Sequence, residues 1–268
     1  MDRLEKALKK ARSMRDAAQA PPPAKTEPAK AVAFAEAAIR PGSRQTELET
    51  GVLERNRIVA RGTRDANADI IRILRTKVLR LMTDNNMKTL AVTSPNSGDG
   101  KTTVAINLAL SLALDVKQTV LLVDLDLRGP DIHSYLGIQP DKGLNDYLLH
   151  DVPVAECMVD PGIERLKILP ISAPLDNSSE ILGTPKMAKF GHELKTRYAD
   201  RIVIYDMPPL LTQDDALTFL PYVDGVLLVV RDGVTYSNEV SHCLNILGTD
   251  KLLGTVLNGC SEPSFNRE

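Results

Sequence analysis

Apolar residues along this chain fall into two rhythms. Six short runs are apolar at most successive positions: Thr89–Thr93, Thr119–Asp124, Leu166–Leu169, Arg201–Asp206, Gly225–Val230 and Leu252–Leu257. Runs such as VLLV and GVLLVV suit strands buried on both faces, as in a parallel sheet covered by helices. Helical stretches alternate with them. Over residues 66–84, Ile70, Leu74, Val78 and Leu81 recur at spacings of four, four and three. That spacing predicts an amphipathic helix, with Asp69 and Arg72 on a more polar face and Arg75 one turn further on. Strands and helices in alternation predict an α/β, doubly wound fold around a mainly parallel sheet.

The first residues follow another pattern. MDRLEKALKKARSMR places Leu4, Leu8 and Ala11 at helical spacing and carries six basic and two acidic side chains. We read residues 1–19 as an amphipathic helix, either solvated or docked to a partner or an anionic surface. Pro21, Pro22, Pro23 and Pro28 then block regular helix, so residues 20–55 read as a Pro/Ala-rich linker, locally helical near Ala33–Ile39. The folded domain is expected over 56–260, followed by a short tail over 261–268.

Composition narrows the reading. Hydrophobic residues make up 43% of the 268, enough for a sizeable core. A net charge of −2 argues against nucleic-acid binding by the whole surface. Cys157, Cys243 and Cys260 match no metal-binding spacing and read as buried free thiols in a reducing compartment. His133, His150, His192 and His242 are scattered and receive no role. No apolar run approaches the roughly 18 residues needed to span a bilayer, and the N-terminus shows no signal-peptide core. The expectation is a cytoplasmic protein with no transmembrane segment of its own, reaching the inner membrane only through a partner.

Candidate chemistry concentrates in KTLAVTSPNSGDGKTTVAINLALSLA, residues 88–113. A strand is followed by a loop with Ser97, Gly98, Asp99 and Gly100, then Lys101, Thr102, Thr103 and an apolar helix. Glycines let backbone N–H groups approach phosphate oxygens, and a helix N-terminus adds partial positive charge. Lys101 can reach the β/γ-phosphates of ATP, and Thr102 can offer a hydroxyl to Mg2+. The match to G-x-x-x-x-G-K-[ST] is imperfect, because Pro95 stands at the first glycine.

Two more strands end in carboxylates. TVLLVDLDLRGP supplies Asp124 and Asp126, and RIVIYDMPPLL supplies Asp206. Strand C-termini of a parallel sheet share one edge, where ligands bind. All three carboxylates are therefore expected beside the phosphate loop, one as a direct magnesium ligand and another acting through water.

Together SPNSGDGKTT, LLVDLDLRGP and IVIYDMPP resemble the Walker A, A′ and B motifs of the bacterial tyrosine kinases, relatives of the Min and Par ATPases. ADIIRILRTKVL, GLNDYLL, APLDNSSEILGTPKM and LLGTVLN fit the same family. With EKALKKAR, they are similar to the branch accompanying exosortase and exopolysaccharide loci. The resemblance covers about residues 56–259 plus the first helix. In Min and Par proteins a second lysine usually lies five residues before the P-loop lysine; here that position is Asn96. The resemblance implies an ATP- and magnesium-dependent protein-tyrosine kinase regulating exopolysaccharide synthesis or export. Its implied activator is a membrane-embedded polysaccharide co-polymerase or chain-length regulator. The alternative is a switch ATPase that docks to such a protein without transferring phosphate to tyrosine. Lys101 and Thr102 would hold phosphate and metal, Asp124 would contact the metal, and Asp206 would act through its shell. Asp126 would orient the attacking hydroxyl. Asn258 resembles the base-recognition position, or is an ordinary edge-strand residue. Asp69, Arg72 and Arg75 resemble an E-x-x-R-x-x-R motif for homo-oligomer contacts, or pair within their own helix. The family's tyrosine-rich tail is missing: the chain ends SEPSFNRE, and its last tyrosine is Tyr236.

Overall fold

The computed structural model describes residues 46–60, 66–114, 118–196 and 201–260. The helix expected over 1–19, most of the linker and the tail over 261–268 lie outside the described residues. So does Tyr198.

The predicted strands all form: β1 (Thr89–Thr93), β2 (Thr119–Asp124), β3 (Leu166–Leu169), β4 (Arg201–Asp206), β5 (Gly225–Arg231) and β6 (Leu252–Asn258). They make one sheet in the order β3-β2-β4-β1-β5-β6, and every pairing is parallel. β1 and β4 are buried along their whole length, as their apolar runs require. Asp224 fixes the start of β1 by accepting the Lys88 and Thr89 N–H groups at 2.9 and 3.0 Å. Lys195 stands 2.5 Å from the same carboxylate. Register then sets the ligand edge. Val92 of β1 pairs with Asp206 of β4, and Asp206 pairs with Asp124 of β2. The loop after β1 therefore has both strand-end carboxylates as neighbours.

Two helices N-terminal to β1 are α1 (Thr50–Arg55) and α2 (Ala66–Asp84); α3 (Lys101–Ala113) follows the phosphate loop. α3 is apolar all round because β1, β2 and β4 lie against it on one side and α2 on another. Its one buried amide, Asn107, accepts the N–H groups of Val59 and Ala60 at 2.8 and 3.0 Å and donates to Arg57 O at 3.0 Å. That amide anchors the chain leading from α1.

Two expectations need correction. The linker expected over 20–55 ends earlier: Leu48 and Leu53 are buried and join Ile58 in the core. The body therefore begins before Asn56. These apolar residues recur every five positions in a polar stretch, a spacing that matches neither helix nor strand period. The face of α2 also differs. Ala68, Val78 and Met82 are buried, while Leu81 is 40% exposed. Met82 lies four residues after Val78 and continues its stripe; Leu81, three residues on, falls on the flank.

The remaining helices fill the crossovers: α4 (Ile132–Leu136), α5 (Leu144–His150), α6 (Val154–Cys157), α7 (Ser178–Leu182), α8 (Pro185–Thr196), α9 (Asp215–Phe219) and α10 (Ser237–Lys251), the last broken at Gly248. Cys157 and Cys243 are buried free thiols; Cys260 is exposed, against expectation, because it lies past the end of β6. Among the described residues, no helix is long and apolar enough to cross a membrane.

Candidate functional site

The loop between β1 and α3 is held by contacts that its own sequence does not reveal. Asp99 accepts the Asn96 N–H at 3.0 Å and the Thr235 hydroxyl at 3.1 Å. Its carbonyl accepts Asn258 Nδ2 at 2.8 Å. Arg231 Nη1 donates to Gly98 O at 3.0 Å. The Asp99 side chain is thus used inside the loop. Gly100 sits at φ 99°, and a Cβ there would stand 2.0 Å from Asn258 Nδ2. Only glycine fits both the left-handed backbone and the approach of β6. Ser97 and Gly98 are exposed, Thr102 is buried and Thr103 half-buried.

Lys101 is 7% exposed, not solvent-facing as a flexible lysine over an open loop would be. Its Nζ lies 2.8 Å from Asp126 Oδ2 and 3.9 Å from Asp206 Oδ1. It also donates to Thr102 Oγ1 at 3.3 Å. Burial alone would lower its pKa; the Asp206 and Asp126 charges outweigh burial and hold it above the usual lysine range. The ammonium is therefore charged at every ordinary pH.

The carboxylates differ in their partners. Asp124 is fully buried and accepts the Asp126 and Ile132 N–H groups, both at 3.2 Å. Burial, reinforced by the Asp206 charge and opposed by Lys101, raises its pKa well above the carboxylate range. Asp126 lies just past the end of β2, and its Oδ1 accepts the Gly129 N–H at 3.1 Å. Asp206 is fully buried; Lys101 and the Thr102 hydroxyl are its polar neighbours, and neither side-chain oxygen accepts a hydrogen bond of good geometry. Burial pushes its pKa up to about 6, against the pull of Lys101.

An unpartnered buried carboxylate costs free energy unless something else meets it. A buried carboxylate with hydrogen-bonding capacity to spare at the sheet's ligand edge, beside a P-loop threonine, suits a hard divalent cation. Among the described residues, no three His, Cys, Asp or Glu converge on one point. Magnesium does not require that, since it keeps waters and takes phosphate oxygens. The residues present fit the ion.

A second group borders the site. Arg128 Nε donates to Ser178 Oγ at 2.6 Å and lies 3.6 Å from the buried Asp215. Leu175 N–H bonds to Leu127 O at 2.8 Å, so APLDNSSEIL is seated on LDLRGP. Ser172 bonds in turn to Asn145 and Asp146 of GLNDYLL, at 2.9 and 2.7 Å.

Sequence reading missed Arg231, Thr235, Glu239 and Asp215. Glu239 carried one signal: its carboxylate accepts the Tyr236 N–H at 2.8 Å, the capping contact that a Glu three residues into a helix announces. It also accepts Asn96 Nδ2 at 2.9 Å. Nothing local marked the others: Arg231 and Thr235 reach the loop from distant sequence, and Asp215 reaches Arg128.

Asp69, Arg72 and Arg75 are not brought to this site. Arg72 forms an ion pair with Asp69 inside α2, and Arg75 Nη1 donates to Ser111 O at 3.2 Å. Ser111 lies ten residues (111 − 101) along α3 from Lys101, about 15 Å by helical rise.

The family model ParA, described as NUBPL iron-transfer P-loop NTPase, matches residues 85–247. The chain is 31% identical to tyrosine-protein kinase YwqD of Bacillus subtilis (strain 168), covering 77% of this chain and 87% of YwqD. It is 29% identical to the putative tyrosine-protein kinase CapB of Staphylococcus aureus, covering 69% and 81%. It matches tyrosine-protein kinase wzc of Salmonella typhi at 30% identity over 72% of this chain, but only 27% of that longer protein. Among solved structures, the chimerical protein CapA2B2 superposes with a TM-score of 0.70 at 27% identity, covering 82% of this chain and 96% of that one. The kinase domain of the Escherichia coli tyrosine kinase ETK gives 0.69 at 26%, covering 79% and 82%. MinD of Pyrococcus horikoshii, complexed with Mg-ADP, gives 0.53 at 25%, covering 63% and 69%.

Proposed function

The chain belongs to the ParA-type P-loop NTPases, in the branch of the bacterial tyrosine kinases, and on that footing we propose that it transfers the γ-phosphoryl group of ATP to protein tyrosine in exopolysaccharide synthesis or export. The observation that carries this reading is the buried constellation at the ligand edge: Lys101 among Asp126, Asp206 and Asp124, with the hydrogen-bonding capacity of the Asp206 oxygens largely unused. ATP would lie along the loop from Ser97 to Thr103. Its β/γ-phosphates would draw the Lys101 ammonium away from Asp126. The released Asp126 carboxylate then orients the tyrosine hydroxyl and accepts its proton. Thr102, Asp124 and Asp206 are the residues to hold Mg2+, Asp124 directly and Asp206 through the shell. The ion supplies charge neutralisation for the phosphates. Lys101 and the loop amides stabilise negative charge spreading over the γ-phosphoryl oxygens. Asn258 holds the loop with its Nδ2 and would accept from the base through its carbonyl oxygen.

We assign activation to a membrane-embedded polysaccharide co-polymerase or chain-length regulator, and a cytoplasmic position at the inner membrane through that partner. Support comes from the match to part of the longer wzc protein. The switch-ATPase reading is the alternative. Against it, Asn96 replaces the second lysine and is tied within the chain to Glu239. Incubation with γ-labelled ATP and a tyrosine-containing co-polymer separates the two. The kinase reading expects alkali-stable phosphotyrosine; release of free phosphate alone would overturn it.

A further inference from the structure

The tyrosines of this chain differ sharply in access. Tyr205 is fully buried, Tyr147 is buried, and Tyr135 and Tyr222 are half-buried. Tyr236 is 72% exposed, the one exposed tyrosine among the described residues. Its backbone is extended, at φ −80° and ψ 149°, as the N-cap of α10. That is the form in which a peptide can lie across another protein's site. It sits on the segment that braces the phosphate loop: Thr235 holds Asp99, and Glu239 links the Tyr236 N–H to Asn96.

We propose that Tyr236 is a phosphoacceptor for a second copy of this chain, and that its phosphorylation loosens the phosphate loop. The proposal rests on the kinase reading above and names one of its substrates. The cap bond fixes Tyr236 at the helix start and its side chain is exposed, so it is open to the site of another copy. The phenol oxygen attacks the γ-phosphorus of ATP bound by the other copy. The bond from that phosphorus to the β–γ bridging oxygen breaks, and ADP leaves with the electron pair. The phenolic proton passes to the Asp126 carboxylate of the enzyme copy. The product brings a charge of about −1.5 to −2 close to Glu239. Repulsion weakens the Glu239 bonds to Tyr236 N–H and to Asn96, the second of which ties the phosphate loop to α10. Phosphorylation would thus lower nucleotide affinity.

Full-length protein is incubated with Mg-ATP and a tyrosine co-polymer, and phosphorylated sites are mapped by mass spectrometry. An isotopically labelled Lys101→Met copy is included as a second acceptor. Phosphotyrosine at Tyr236 on both copies is expected, with chain labelling falling at least tenfold in Tyr236→Phe. Phosphotyrosine elsewhere with Tyr236 unmodified, or on the co-polymer alone, overturns the proposal and leaves the kinase reading standing. ATP hydrolysis with no phosphotyrosine on either acceptor removes both. Mapping on the wild type decides the acceptor even if Lys101→Met folds poorly. For the second half, calorimetry with Mg-ADP should give about fivefold weaker binding for Tyr236→Glu and unchanged binding for Tyr236→Phe. Equal affinities would overturn the feedback.

Discussion

Asp206 holds a carboxylate where the folded chain alone gives it little reason to be. Its pKa rises to about 6, against about 3.9 in an unfolded chain. The folded state therefore binds more protons than the unfolded state between about pH 4 and 6. Stability from this group falls as pH rises through that window, and above it the full cost remains. Asp206→Asn should raise the ligand-free melting temperature at pH 7 by about 3 °C or more, remove this pH-dependent loss, and weaken Mg-ADP binding. Calorimetric scans of both proteins from pH 4 to 8 test this; parallel curves would show that Asp206 is not under strain. Lys101 makes the opposite case. Removing it leaves Asp124, Asp126 and Asp206 without their shared cation, and breaking such a buried pair costs about 3–5 kcal/mol. Lys101→Met should therefore lose stability as well as nucleotide, and lose less near pH 5, where the buried Asp206, raised to about 6, takes up a proton. Denaturant midpoints at pH 5 and 7.5 check it; a fully stable Lys101→Met would contradict the buried pairing.

At the level of elements, legibility depended on how local the signal was. The strands were readable almost to the residue because five of them are apolar runs buried on both faces, which leaves little choice of register or face; β6, at the sheet edge, is only half-buried. β5 and β6 extend one residue beyond their apolar runs, to Arg231 and Asn258, and those polar ends touch the phosphate loop. The helix over 66–84 was legible, but its buried face was not. Ile70, Leu74, Val78 and Leu81 fit a helical stripe, as do Ala68, Val78 and Met82. Packing against α3 selects the second. Met82→Ala should cost about 2–5 kcal/mol, as buried truncations do. Leu81→Ser should stay within about 0.5 kcal/mol. Urea titration of the two variants separates the faces, and a larger loss for Leu81→Ser would restore the first stripe.

At the scale of the whole molecule, the sequence revealed which groups would meet but not what would hold them. GKTT and the three strand-end aspartates follow from loop chemistry and parallel topology. The brace of Arg231, Thr235, Glu239 and Asn258 depends on tertiary contacts that no local period encodes. Assembly is the other property that a single chain leaves open. We propose that Arg72 serves a head-to-tail contact between copies, through a guanidinium able to meet a carboxylate on the next protomer. In the single chain Arg72 pairs with Asp69 in α2, an exposed helical pair of the kind that contributes little to stability. Exchanging that partner for Asp69 of another copy therefore sacrifices little. Arg75 is a poorer probe, because its bond to Ser111 O braces the end of α3. Arg72→Ala should leave the urea midpoint within about 0.5 kcal/mol of wild type, yet reduce a multimer to monomer mass by light scattering. If wild type and Arg72→Ala show the same mass across a concentration series, Arg72 has no part in assembly.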